Sequence, residues 1–278
     1  MEKRIQCGTH GEREAAFVCS HLLGSSAGLG FNRDDPTTEK PFPDAWCDNC
    51  ELIRAAHDGW NDESEKLAKI SLLCSGCYER ARIRNTRTSI TLNDLADLRW
   101  KCGSCQDWHT GPCLDFGHDS PYYWRKEHGE LNRLAGLLPR WSMNHGKTFL
   151  NEDFCAIDDE DFFVRGLIQL PILGTAETFC WGVWGSLSRE NFNNLLKNDN
   201  DPKRVELPPM FSWLSSQISE YPDTLNLKMY AHIRKPGWRP IFELEPSSHP
   251  LSQEFHTGIS VERVKEVMLG RLQANQST

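Results

Sequence analysis

The sequence predicts an α+β protein: a small cysteine-rich module, then a mostly antiparallel sheet with flanking helices. Three observations carry this reading. Paired cysteines and histidines crowd the first third, where apolar side chains are sparse. Residues 225–234 alternate apolar and polar, the period of a half-buried strand, and no long helical stretch separates the strand-like runs of the second half. At 278 residues the chain exceeds one typical domain, and the boundaries fall at 1–93 for the module and 99–274 for the sheet domain.

The formal net charge is −8, and both parts are acidic. Binding nucleic acid through phosphate neutralisation is therefore disfavoured. The opening MEKRIQCGTHGERE lacks the apolar run of a signal peptide, and no stretch is long and apolar enough to span a bilayer. The expected location is the cytoplasm, without a membrane partner. Eleven cysteines in a reducing compartment then read as metal ligands before disulfides.

In order, the first third offers Cys7-x2-His10, Cys19-x-His21, Cys47-x2-Cys50 and Cys74-x2-Cys77. A two-residue gap lets the chain turn back so that both donors reach one ion, and eight donors suit two tetrahedral zinc ions. The Cys19/His21 gap is tight, and His57 is an alternative to His21. The ligand content resembles treble-clef, RING and B-box fingers, and leaves interleaved and sequential pairing open. His10-Gly11-Glu12 followed by Cys47-x2-Cys50 touches the zinc-deaminase signature, but Trp46 stands where that signature has proline, and four cysteines would be left unused.

Between the ligand pairs, residues 24–43 read as loop, and residues 51–56 and 65–70 as short helices. Their apolar content is too small to fold the segment alone. Zinc contributes on the order of 10–16 kcal/mol per site in small fingers, enough to decide whether it folds. Arg80, Arg82, Arg84 and Arg87 follow the last pair and read as a solvated helix face.

Cys102-x2-Cys105 is a further knuckle, with His109 as a third donor for an additional zinc. Cys113, Cys155, His118 or His128 could close that site. Three donors with an open fourth position would instead be the geometry of a catalytic metal. The closed, structural form is the expectation.

In the second half, residues 153–157, 162–172 and 178–187 read as strands. Lys235-Pro236-Gly237 supplies a turn from the alternating strand to a hairpin partner at 238–245. Ser120 with Pro121 can cap a helix running toward Leu131, Ser188 one over residues 189–197, and Ser260 a final helix whose Val261, Val264, Met268 and Leu272 share a face. Arg165, on a strand, and His249, before Pro250, are the polar residues that stand out. Both read as satisfied hydrogen-bonding residues.

Several ordered motifs are distinctive: Cys102-x2-Cys105 with His109, Leu114-Asp115-Phe116-Gly117, Pro121, Phe163-Val164-Arg165-Gly166, Trp181-Gly182-Val183-Trp184 leading into Ser186-Leu187-Ser188, and His249-Pro250-Leu251. On these the chain from Lys101 to about Leu272 resembles the bacterial domain of unknown function 2199 family. That resemblance implies no activity. No H-E-x-x-H, G-x-S-x-G or phosphate-loop motif occurs. The sequence therefore points to a cytoplasmic zinc protein that contacts other proteins without catalysis. The alternative is a zinc-dependent hydrolase acting through Cys102, Cys105 and His109.

Overall fold

The computed structural model describes residues 4–24, 26–102, 106–125, 127–128 and 148–274. The fold is α+β, and the chain divides into two compact units. One comprises Met1–Pro112 with Pro171–Thr178 and Thr257–Thr278; the other comprises Cys113–Leu170 and Phe179–His256.

The first unit is built on β2 (Gly11–Cys19). It pairs antiparallel with β1 (Arg4–Cys7), through a tight turn that sets Cys7 opposite Gly11. After the short β3 (Asn32–Arg33) comes β4 (Ala45–Trp46), parallel to β2 with Val18 opposite Ala45. Two helices follow, α1 (Asp48–Ala56) and α2 (Asp62–Ala68). Asn61 caps α2 through the backbone N–H groups of Glu63 and Ser64 at 3.0 and 3.1 Å, satisfying donors a helix start leaves open. Lys69, left-handed at φ 51°, stops α2. Ile70 thus enters β5 (Ile70–Cys74) rather than extending the helix, as its sequence pattern suggests. β5 runs antiparallel to β2, from Ala15 opposite Cys74 to Cys19 opposite Ile70, and leads into α3 (Ser75–Asn85).

The module has more core than its sparse apolar content predicts. Ala16, Val18, Leu22, Ala45, Trp46 and Ala68 gather round Tyr78, together with buried Cys19, Cys47 and Cys50. The Tyr78 hydroxyl donates to the Pro43 carbonyl at 2.7 Å, and the ring meets Phe31 and Phe42 edge-on. A short hairpin of β6 (Arg99–Lys101) and β7 (Trp108–Thr110) ends this part of the chain.

The second unit carries an eight-stranded sheet of β8 (Asp115–Gly117), β9 (Phe149–Leu150), β10 (Phe154–Ile157), β11 (Asp161–Pro171), β12 (Thr178–Leu187), β13 (Met210–Leu214), β14 (Lys228–His232) and β15 (Ile241–Leu244). The spatial order is β8-β12-β13-β14-β15-β11-β10-β9, and β11 also pairs with β12. Five strands, β11 to β15, therefore close a ring. The closing pair, Leu167 opposite Ile241, is parallel, whereas β10–β11, β12–β13, β13–β14 and β14–β15 are antiparallel. Phe242 fits because glycines face it: a Cβ on Gly166 would come 2.4 Å from its ring, and one on Gly185 2.7 Å.

The strand at 178–187 and the β14–β15 hairpin match the sequence reading. The alternation over 225–234 extends beyond the strand, however, because Asn226 adopts φ 61° and residues 225–227 form a turn. The reading missed β13. Ser188 caps α4 (Arg189–Lys197) as expected, its Oγ accepting from Asn191 N at 3.2 Å. Phe192 of α4 packs against Phe149, Phe154 and Phe162. The helix expected from Pro121 does not form over Tyr122 and Tyr123, which make a turn closed by Trp124 N to Pro121 O at 3.0 Å. Its continuation past residue 128 lies outside the described residues.

After α5 (Pro250–Thr257) the chain returns to the first unit. Gly258, at φ 93°, lies against Leu173, Ile83 and Pro171, where a Cβ would come within 2.7 Å of the leucine. Ile259 bridges to Ile172, and Ser260 caps α6 (Val261–Ala274), with Val261, Val264, Val267 and Met268 buried. The side chain of Leu272 lies outside the described residues. At the tip of the 171–178 turn, Gly174 N donates to Ile83 O at 2.9 Å.

Candidate metal centre

The eight paired donors of the first third form two groups, Cys7, His10, Cys74 and Cys77, and Cys19, His21, Cys47 and Cys50. Within each, the four donor atoms lie within 4.8 Å of one another. The backbone explains both. Cys7 ends β1 and His10 sits in the turn to β2, where Gly11 at φ 68° permits the reversal. The β2–β5 ladder brings Cys74 alongside, at the cap of α3, with Cys77 in the first helical turn. At the far end of β2, Cys19 leads into the helical turn Ser20–Leu23 that presents His21. The parallel β2–β4 pair places Cys47 there, at the cap of α1, with Cys50 one turn on.

Tetrahedral zinc with Zn–S of about 2.3 Å and Zn–N of about 2.0 Å requires donor separations of roughly 3.8 Å between sulfurs and roughly 3.6 Å from sulfur to nitrogen. In the first group Cys7 Sγ and Cys77 Sγ are 3.9 Å apart, and His10 Nδ1 lies 3.7, 3.4 and 3.5 Å from the sulfurs of Cys7, Cys74 and Cys77. In the second, His21 Nδ1 is 3.2 Å from Cys50 Sγ. Both histidines present Nδ1.

The groups share one construction. A C-x2-C pair opens a helix, whose N-terminal dipole favours thiolates. Backbone N–H groups point at sulfur, Cys77 N at Cys74 Sγ (3.4 Å) and Cys47 N at Cys19 Sγ (3.3 Å). N–H groups of Thr9 and His10 lower the Cys7 thiol to about 6. Burial acts oppositely on three thiols, raising Cys19 and Cys50 and pushing Cys77 up to about 12. Thiols so placed ionise readily only when a cation supplies compensating charge.

The pairing is nested: first pair with fourth, second with third. Neither of the schemes the sequence leaves open, interleaved or sequential, occurs. His21 fills its group, and His57, at the C-terminal end of α1, takes no part. His10 stands with Cys74 and Cys77 rather than with Cys47 and Cys50, which removes the deaminase arrangement. Sequence reasoning also overlooked Gly76. A Cβ there would come 2.8 Å from the His10 ring, so glycine is what admits the imidazole beside α3.

The third knuckle is seen in part. Cys102 starts the tip of the β6–β7 hairpin, its N–H donating to Asp107 O at 2.9 Å, while His109 pairs opposite Trp100 and stacks on it at 4.7 Å. Cys105 lies outside the described residues. Among the described residues Cys102 and His109 join no group of three donors. Of the proposed fourth ligands, Cys155 is buried with Ile157, Phe163 and Trp184, and Cys113 Sγ faces Asp115 O at 3.4 Å. His118 faces the carbonyls of Gly182 and Gln217, and His128 Nδ1 accepts from Arg125 N.

The two polar residues singled out in the sequence are only partly satisfied. Arg165 lies 3.8 Å from Asp119, with its Nε buried and unpaired; His249 Nδ1 accepts from Leu251 N, with Nε2 buried and unpaired.

A family profile described as an uncharacterized protein conserved in bacteria (DUF2199) matches residues 101–259. It begins after both donor groups and ends before α6. No curated protein and no solved structure matches the chain.

Proposed function

Since the chain belongs to DUF2199, a family of uncharacterized proteins conserved in bacteria, and bears two Cys/His groups able to hold metal ions, we propose a zinc-binding interaction protein without catalysis. One zinc sits in each group, and both are structural. The observation that carries this is closure: each group supplies four protein donors within 4.8 Å of one another, enough to fill a tetrahedral zinc without substrate or water. The protein partner is inferred from the same module, where Leu23, Leu52, Leu67, Ile70 and Leu72 are exposed. A reducing cytoplasm suits its free cysteines.

A third zinc at Cys102, Cys105 and His109 is retained as part of the proposal, because the β6–β7 hairpin carries Cys102 just past the end of β6 and His109 within β7. If that site were open, it would serve the alternative, a hydrolase. Metal analysis of the full chain, purified without added metal, should return two zinc ions, or three if the last knuckle is loaded. A folded protein carrying less than one zinc would end this reading. After cobalt substitution, closed sites keep their visible spectrum when azide is added, whereas an open site changes it.

A further inference from the structure

The two donor groups are not equally shielded. In the second group Cys19 and Cys50 are 0% exposed and Cys47 is 2% exposed, and all three sit in the core with Val18, Leu22 and Tyr78. In the first group Cys74 is buried, whereas Cys7, His10 and Cys77 are partly exposed. The fold accounts for the difference. Cys7 ends β1, which lies at one end of the strand order, while Cys19 ends β2 where β4 and β5 pair with it. The two partly exposed sulfurs are also neighbours, Cys7 Sγ and Cys77 Sγ being 3.9 Å apart. A disulfide holds its sulfurs about 2.05 Å apart, so this pair has less than about 2 Å to close once no ion stands between them.

Oxidants reach thiolates that solvent reaches. We propose that the first group is a redox switch acted on by hydrogen peroxide: oxidation joins Cys7 to Cys77 and releases that group's ion, while the second group keeps its own. The proposal rests on the zinc reading above and adds its regulation. One of the two thiolates attacks a peroxide oxygen and becomes a sulfenic acid as hydroxide leaves. The other thiolate then attacks that sulfur, forming the S–S bond and expelling a second hydroxide. Two electrons pass from the sulfur pair to the peroxide, and the two hydroxides take up protons to become water. Zinc is left with His10 and Cys74, half the donors of a structural site, and dissociates. The new bond still ties β1 to α3, so a thiol reductant and fresh zinc restore the starting state.

The test treats the full zinc-loaded chain with hydrogen peroxide, follows released zinc with a coloured chelator, and maps disulfides by mass spectrometry. Zinc should leave the first group at least about tenfold faster than the second, together with a Cys7–Cys77 disulfide, while Cys19, Cys47 and Cys50 stay reduced. Cys77→His keeps four donors and removes one of the two reacting sulfurs. This variant should bind the same amount of zinc and lose it no faster than the second group does; should it fail to fold, the disulfide map of the unaltered chain decides alone. Simultaneous loss from both groups, oxidation of Cys19, Cys47 or Cys50 first, a first disulfide between Cys74 and Cys77, fast release from the variant, or no release at all would each overturn the switch and leave the zinc reading intact. Any bond at Cys102 or Cys105 is read separately in the same map. Less than one zinc per chain before peroxide is added would instead remove the zinc reading itself, and the switch with it.

Discussion

Gly76 lies flat against the imidazole of His10: a methyl group on its Cα would meet Cγ at 2.8 Å and Nδ1 at 2.9 Å. Gly76→Ala should displace the ring and weaken metal binding at Cys7, His10, Cys74 and Cys77 by about 10- to 100-fold, the usual cost of disturbing a ligand's support. Competition with a coloured chelator should show one weakened site and one unchanged. Two unchanged sites would mean that His10 is not a ligand.

The second group makes a sharper distinction. His21→Ala and Cys47→Ser should each lose one zinc per chain, whereas His57→Ala should keep the full complement, because His57 stands outside the donor group. Mass spectrometry under native conditions reads the stoichiometry directly.

Metal removal should act unevenly along the chain. A strong chelator is expected to open residues 1–93 to protease while the ring of β11 to β15 stays protected, since that ring has an extensive buried aromatic and aliphatic core of its own. Equal protection of both segments would show that packing alone holds the module.

Within the ring, Gly185→Ala should destabilise by about 1–3 kcal/mol, because the added methyl would sit 2.4 Å from Ser212 Oγ and 2.6 Å from Met229 Cε. Thermal unfolding followed by tryptophan fluorescence would register the loss. Zinc content should not change.

Asp199→Ala should cost about 1.5–3 kcal/mol, the range for a hydrogen bond to a charged group, since Arg204 is 4% exposed and its ion pair with the partly exposed Asp199 is 2.7 Å long. The Asp199 carbonyl, which the same Nη1 reaches at 2.7 Å, stays in place. Denaturant titration compared with Arg204→Met separates loss of the pair from loss of the carboxylate alone.

What the sequence conveys depends on how local the determining physics is. The ligand pairs were legible because two donors on one ion must sit a fixed few residues apart. Ser188 and Ser260 marked helix starts because capping is decided within a single turn. Three features were not legible. The nested pairing depends on β2 spanning from one group to the other, a long-range placement that no spacing records. Closure of the ring rests on the single parallel contact of Leu167 with Ile241, between residues far apart in the chain. The strand over 225–234 was overread because alternation says which face a side chain prefers, and is silent about Asn226 turning the backbone.

Nesting also sets an order in time. His21 and Cys50 are 29 residues apart and enclosed by the outer group, in which His10 and Cys77 are 67 apart. As the chain leaves the ribosome, the inner set is complete once Cys50 has emerged, while the outer set waits for Cys77. The shorter loop also loses less entropy on closing. If both groups bind metal, the module fills from the inside outward, and a nascent chain halted between Cys50 and Cys74 holds at most one ion, with Cys7 and His10 still awaiting their partners.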